Sequence, residues 1–326
     1  MRSIMKKRLL LLSIVIVLIL CEMWFRVSYI QEQDRLRLKY EGRSLCLESD
    51  EALIYTAIPG RCGANSQGYF DAEHSFVKPK DVFRIVIIGD SIAQGQGVGR
   101  EESFGRVLEK KLNAVQNKKK VEVIILALTG YSTSQELIVL REQAFRYDPD
   151  MILWSYVLND PAHPFFHDAN GELGRYFYKP RSYLLHYIFA RFFNARERMR
   201  GRSLPPEARE FHVFLNTVYW DEVKANLGTI GKVSKKKKIP VLFVIHPVFK
   251  KDGMFDRYPL TAVHEKLKEY VLLQGLRPLD LLETYQGYRS EQLNLSSEDP
   301  WHPNAKGHEV AAEAISEAVL KGDYIK

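Results

Sequence analysis

Apolar residues along this chain gather into one long N-terminal run and five shorter blocks, separated by polar or helix-patterned stretches. The blocks cover 82–89, 121–128, 150–157, 239–245 and 279–282. They are continuous apolar runs with many β-branched residues, not alternations of apolar and polar. That pattern predicts strands buried on both faces of a parallel sheet. Helical periodicity lies between them: over about 103–113, from a cap at Ser132 or Thr133 to about Tyr147, and over about 304–320. Strands alternating with helices predict an α/β domain, its sheet of about five strands covered on both faces.

The N-terminal run spans residues 9–21, behind Arg2, Lys6, Lys7 and Arg8 and ahead of Glu22, Met23, Trp24 and Phe25. Its length is short for a full span and also suits a signal-peptide core. Cleavage needs small residues before the cut, and Ile19, Leu20 and Cys21 supply none. Leu20 also argues against a lipoprotein site at Cys21. With Ile4 and Met5 before it and Trp24 and Phe25 at the far boundary, the run reads as a retained single-pass anchor through residues 9–25. A buried N-terminal helix is the plainer alternative. The basic tail puts the N-terminus in the cytoplasm and the main domain outside, although Arg26, Arg35, Arg37 and Lys39 weaken the asymmetry. In that compartment Cys46 and Cys62 could bridge, or they could remain two thiols.

Residues 1–26 are thus expected to be a cytoplasmic tail and membrane anchor, 27–80 a stalk and approach, and 81–326 the main domain. An insertion at about 161–210 interrupts that domain. It carries the dense stretch 183–193, with Arg191, Arg196, Arg198, Arg200 and Arg202 close by. A lid, an acyl-chain wall, a helix resting on the membrane surface and ordinary core packing all fit this composition.

Composition changes the picture little. A 326-residue chain with 46% hydrophobic and 27% charged residues is ordinary globular material, enough for one sizeable domain plus additions. The net charge of +7 invites a nucleic-acid partner. Its lysine runs, 118–120 and 235–238, precede strands and carry no interleaved aromatics, so solvated loops are expected and no nucleic acid. His163 and His167 have a metal-like spacing. Pro161, Pro164 and Gly171 make that segment a loop with no third ligand, so neither a metal nor a cofactor is expected.

The chemistry gathers at strand ends. The first block closes on Gly89-Asp90-Ser91, where open α/β sheets place their active sites. Ser91 is either a nucleophile or, with Asp90, a helix cap. The second block closes on Thr129-Gly130-Tyr131 and the third on Leu158-Asn159-Asp160. The Ser91 and Gly130 backbone amides and the Asn159 side-chain amide are candidate donors for an oxyanion. Far downstream, Asp299-Pro-Trp-His302 lets a carboxylate fold back onto an imidazole, leaving the other ring nitrogen as a general base. Asp90, Asp160 and His246 are further candidate substrate contacts, with packing beside Pro247 the alternative for His246. His308 reads as helix surface or packing. Dinucleotide and phosphate loops are excluded: in Gly95-Gln-Gly97-Val-Gly99, Arg100 stands where the last glycine belongs, and no Gly-Lys-Ser/Thr follows. A Gly-x-Ser-x-Gly elbow is also absent.

The order Gly89-Asp90-Ser91, Gly130, Asn159-Asp160, Asp299-x-x-His302 resembles the SGNH (GDSL-type) hydrolases across residues 82–320. The resemblance implies a flavodoxin-like α/β/α fold, with Ser91 as nucleophile, His302 as base and Asp299 orienting it. Ser91, Gly130 and Asn159 would form the oxyanion hole. Ala93 stands where the family usually has Thr, and Val157 where it usually has Gly; neither change removes a reacting group. The expected protein is an anchored serine esterase acting on an acylated envelope saccharide or lipid. An O-acyltransferase with the same residues and a non-catalytic binding protein on this fold are the rival readings.

Overall fold

The computed structural model describes residues 2–115, 118–161, 176–249, 255 and 258–325. A long helix, α1 (Arg2–Ser44), leads into a hairpin of β1 (Leu47–Asp50) and β2 (Ile54–Ala57). The alternation then begins: β3 (Val82–Gly89), α2 (Ser91–Gln94), α3 (Phe104–Val115), β4 (Lys120–Ala127), α4 (Thr133–Glu142) and β5 (Met151–Val157). Three helices follow: α5 (Tyr183–Ser203), α6 (Phe211–Val218) and α7 (Trp220–Lys237). The chain closes with β6 (Val241–His246), α8 (Thr261–Leu273), β7 (Arg277–Asp280), α9 (Leu282–Tyr285), α10 (Ser290–Leu293) and α11 (Ala305–Lys321).

The five expected strands form one parallel sheet in the order β4-β3-β5-β6-β7. Ile85 to Ile88 on β3 point alternately to opposite faces, yet all are fully buried. Helices on both sides cover them, which is why these strands read as unbroken apolar runs. The chain passes from β3 to β4 on one side and returns to β5 on the other. That reversal leaves a crevice beyond the carboxyl end of β3.

Two boundaries move. The helix expected to reach Tyr147 ends at Glu142, and Ala144–Tyr147 tightens into a 3-10 turn. Lys235, Lys236 and Lys237 form the last turn of α7 rather than a loop, where the helix's carbonyl end favours cations.

The apolar run lies inside α1, whose segment Ile4–Asp34 is long and apolar enough to cross a membrane. Beyond α1, the expected stalk is not a free approach segment but part of the packed structure. Cys46 and Cys62 are bridged, with Cα atoms 5.5 Å apart. Tyr55 and Ala57 are completely buried. The Asp71 carboxylate accepts a 2.8 Å hydrogen bond from the Ile125 amide, inserting this segment beside β4. His74 sits between Asp71 (3.1 Å) and Glu122 (2.9 Å). Burial works against its charge, but hydrogen bonds to these carboxylates push its pKa up to about 9. Arg84, buried within β3, pairs with Glu122 at 2.6 Å and donates to the carbonyls of Ser75, Phe76 and Tyr147. Polar partners such as these leave no periodic trace in a sequence.

If residues 45–80 belong to the cooperative unit, opening the Cys46–Cys62 bridge should weaken the whole domain. The double substitution Cys46→Ser and Cys62→Ser is expected to lower unfolding stability by about 2–4 kcal/mol in urea titrations. An unchanged midpoint would restore the free-stalk reading.

Candidate active site

The turn that carries Ser91 is built by close packing. A Cβ on Gly89 would lie 2.8 Å from the Ala93 Cβ and 2.9 Å from both the Cβ and the carbonyl oxygen of Ser155. Only glycine lets β3 end against its neighbours there. Asp90 accepts from the Ile92 amide at 3.1 Å and starts α2, with Ser91 as its first residue. Asp90 thus takes the capping role, and Ser91 carries its hydroxyl at the carboxyl end of β3.

His302 comes from a loop stitched down on both sides. The Leu295 amide donates to the His302 carbonyl (2.8 Å), and the Asn304 amide donates to the Leu293 carbonyl (2.7 Å). Asn304 then caps α11 through the Gly307 amide. The loop packs over Gly97, which sits at φ 89° under the Leu295 side chain. A Cβ on Gly97 would fall 2.2 Å from a Leu295 methyl.

The three expected residues meet. His302 Nδ1 lies 2.8 and 2.9 Å from the two Asp299 carboxylate oxygens, and Nε2 lies 3.0 Å from the Ser91 hydroxyl. An ionised carboxylate only accepts, so Nδ1 carries the proton and Nε2 presents its lone pair to Ser91. Asp299 is held in turn by the Trp301 and His302 amides, each at 3.3 Å. That arrangement can deprotonate the serine and return the proton later.

Gly130 and Asn159 occupy the loops after β4 and β5, the strands on either side of β3. Gly130 adopts φ 77°, a conformation that favours glycine. Asn159 sits in a turn closed by the Asp160 amide on the Val157 carbonyl (3.0 Å) and by the Val157 amide on the Asp160 carboxylate (3.0 Å). The Thr133 amide also donates to the Asp160 carbonyl (3.1 Å), tying the two loops together.

The candidate substrate contacts Asp90, Asp160 and His246 are all buried, and the Asp90 carboxylate also lies 3.4 Å from the Ser91 hydroxyl. Asp90 and Asp160 are occupied by the turns just described. The His246 ring shares a 2.9 Å hydrogen bond with Ser155 and packs on Phe104; burial pushes its pKa down to about 3, so it stays neutral. His308 is likewise internal, accepting from the Phe104 amide at 3.3 Å. His163 and His167 lie outside the described residues.

Two features escaped sequence reasoning. The first is a brace beneath the Gly130 loop. Gln94 accepts from the Thr129 amide (2.7 Å), Gln96 accepts from the Thr129 hydroxyl (2.5 Å), and the Tyr55 hydroxyl donates to the Thr129 carbonyl (2.8 Å). The β1–β2 hairpin thus helps position a strand-end loop of the crevice. The second is a buried carboxyl group, Glu136, between Asp90 and Asp160. Burial pushes Glu136 well above the carboxylate range, Asp90's charge adds to this, and the Trp154 indole opposes it. Burial also raises Asp160, with Glu136 and Asp90 adding to the shift, and raises Asp90. Burial and mutual repulsion thus both favour the protonated forms of Glu136 and Asp160. A glutamate on the apolar stripe of α4 was the available signal.

Residues 87–310 match the GDSL-like lipase/acylhydrolase family, and the chain belongs to that family. It is a serine hydrolase acting on ester bonds. Solved structures of similar fold include an acetyl xylan esterase, 13% identical, covering 73% of this chain and 100% of its own at TM-score 0.45. A lipase/acylhydrolase from Enterococcus faecalis is 16% identical, covering 74% of this chain and 96% of its own at TM-score 0.44. A mutant acetyl-xylooligosaccharide esterase from Geobacillus Stearmophilus is 14% identical, covering 73% of this chain and 94% of its own at TM-score 0.48. No curated protein matches the chain.

The protonated core has a consequence for pH. With its folded pKa raised above the ordinary 4.5, Glu136 keeps a proton in the folded state that the unfolded chain has lost. Stability therefore declines as pH rises above that range. Glu136→Gln should escape this decline. Its stability relative to the native chain is expected to grow by about 1.4 kcal/mol per pH unit until the folded pKa is passed. Urea unfolding of both proteins across that interval measures the difference; a gap that stays constant with pH would contradict a protonated Glu136.

Proposed function

We propose that this protein is a membrane-anchored esterase of the extracytoplasmic face, removing acyl groups from an envelope saccharide or lipid through an acyl-enzyme on Ser91. The observation that carries the reading is the continuous hydrogen-bonded line from Asp299 through His302 to Ser91. His302 takes the Ser91 proton as the oxygen attacks the ester carbonyl, then passes that proton to the departing alcohol. A water deprotonated by the same nitrogen attacks the acyl group, releasing the acid and restoring Ser91. The Ser91 and Gly130 amides and the Asn159 side chain are assigned to the carbonyl oxygen as it becomes negative.

The location rests on α1 and on the Cys46–Cys62 bridge, which suits an oxidising compartment. In this reading residues 1–26 form tail and anchor and 81–326 the hydrolase domain. A saccharide substrate is supported by Trp301, whose side chain is 54% exposed one residue before His302. Its flat apolar face offers a surface against which a sugar ring can stack.

A fluorophosphonate should label the native chain and spare Ser91→Ala, and Ser91→Ala should lose at least about 10⁴-fold in ester hydrolysis. Asn159→Ala should lose about 10²–10³-fold in kcat, whereas Trp301→Ala should raise KM for acylated saccharides more than for simple aryl esters. Equal labelling of native and Ser91→Ala chains would remove Ser91 from its role. Acyl appearing on an added saccharide in place of free acid would make the protein a transferase.

A further inference from the structure

The chemistry above makes no use of α5, although it is among the more unusual surfaces of the molecule. Its start is fixed on α1 by Glu22, the first charged residue after the apolar run. The Glu22 carboxylate accepts from the amides of Tyr183 (2.8 Å) and Leu184 (3.0 Å) and from the Ser182 hydroxyl (2.8 Å). One turn further on, Phe25 stacks on Tyr187 with ring centroids 4.3 Å apart, and Arg26 lies over the Tyr183 ring. The Tyr29 hydroxyl donates to the Tyr178 carbonyl. These contacts place the beginning of α5 level with Glu22, Trp24 and Phe25, where α1 changes from apolar to polar.

The side of α5 turned away from α1 is apolar and open. Leu185 (66%), Ile188 (53%), Phe192 (69%) and Met199 (67%) are exposed among the described residues. At about 100° per residue their spacing keeps them within a stripe roughly 60° wide. Arg191, Arg198 and Arg202 fall along one flank of that stripe and are exposed as well. An apolar stripe edged by arginines and starting at the end of a candidate span has the form of an interfacial helix.

We propose that α5 lies in the surface of the membrane that α1 crosses, with Leu185, Ile188, Phe192 and Met199 entering the acyl boundary. Arg191, Arg198 and Arg202 then meet anionic lipid head groups. The proposal rests on residues 9–25 being a retained anchor. Two elements then hold the catalytic domain to the bilayer, and the domain does not swing on a tether.

The test uses the full chain with Cys21→Ala, so that a single introduced cysteine carries an environment-sensitive fluorophore while Cys46 and Cys62 stay bridged. The probe is placed at Val15→Cys in the anchor, Phe192→Cys on the stripe or Lys110→Cys on α3. Each protein is reconstituted into phosphatidylcholine vesicles with or without phosphatidylglycerol. The expected result is a blue-shifted probe shielded from an aqueous quencher at positions 15 and 192, and an accessible one at 110. The shift at 192 should increase with phosphatidylglycerol, and Arg191→Ala, Arg198→Ala and Arg202→Ala together should abolish that increase. Shielding at 15 with full quenching at 192 would overturn the role of α5 and leave the anchor standing. Quenching at 15 would overturn the anchor and the proposal with it. Shielding at 192 that rises with the protein-to-lipid ratio would assign the stripe to a second copy of the chain, and would equally overturn the proposal.

Discussion

The 3.0 Å contact between His302 Nε2 and the Ser91 hydroxyl joins residues 211 positions apart, and much of the fold serves to keep it. A hydrogen bond between two side chains is weak beside the entropy of the loops that carry them. The distance therefore persists only because both loops are fixed independently. Gly89 seats the serine against Ser155, and Asp90 caps the turn. On the other side, paired backbone bonds around Leu293 and Leu295, and the Asn304 cap, hold the imidazole's loop. Gly97 is where the two loops touch, and its left-handed backbone, at φ 89°, is one that glycine adopts without strain.

The surroundings of that contact are less ordinary. Near Ser91 lies a set of buried carboxyl groups, Asp90, Glu136 and Asp160, close enough to raise one another's pKa. Each charge in such a set would be costly, so burial favours the protonated forms. The first hairpin contributes from the opposite direction, with Tyr55 reaching the carbonyl of Thr129. Stability and positioning are thus coupled: residues far ahead of the catalytic sequence help to set the loop that presents Gly130.

The sheet was legible in the sequence because its strands are covered on both faces, which leaves continuous apolar runs. Ser91, Asp299 and His302 each also read as a cap or an ordinary loop residue, and they stood out only because the strand-end features occur together, in the order of a known family. The segment 45–80 was not, because single contacts such as those of Tyr55, Asp71 and His74 bury it, and these have no period. Glu136 was overlooked for a related reason: an amphipathic pattern records which face of α4 is apolar but not that one position on it is an acid. For His246 the packed reading holds: a strand end can face the crevice or the interior, and this ring pairs with Ser155 inside. Cys46 and Cys62 were left open, since pairing is a matter of distance that spacing alone does not give.

The central claim is that an acyl group resides on Ser91 during turnover and that His302 puts it there. Rapid acid quenching of the full chain during turnover of an activated acetyl ester, followed by peptide mass analysis, tests this most directly. The account predicts an acetyl group on the peptide containing Ser91 in the native chain and its absence from His302→Ala. Steady turnover with the acetyl group on another residue, or with the same Ser91 adduct forming equally fast without His302, would contradict it.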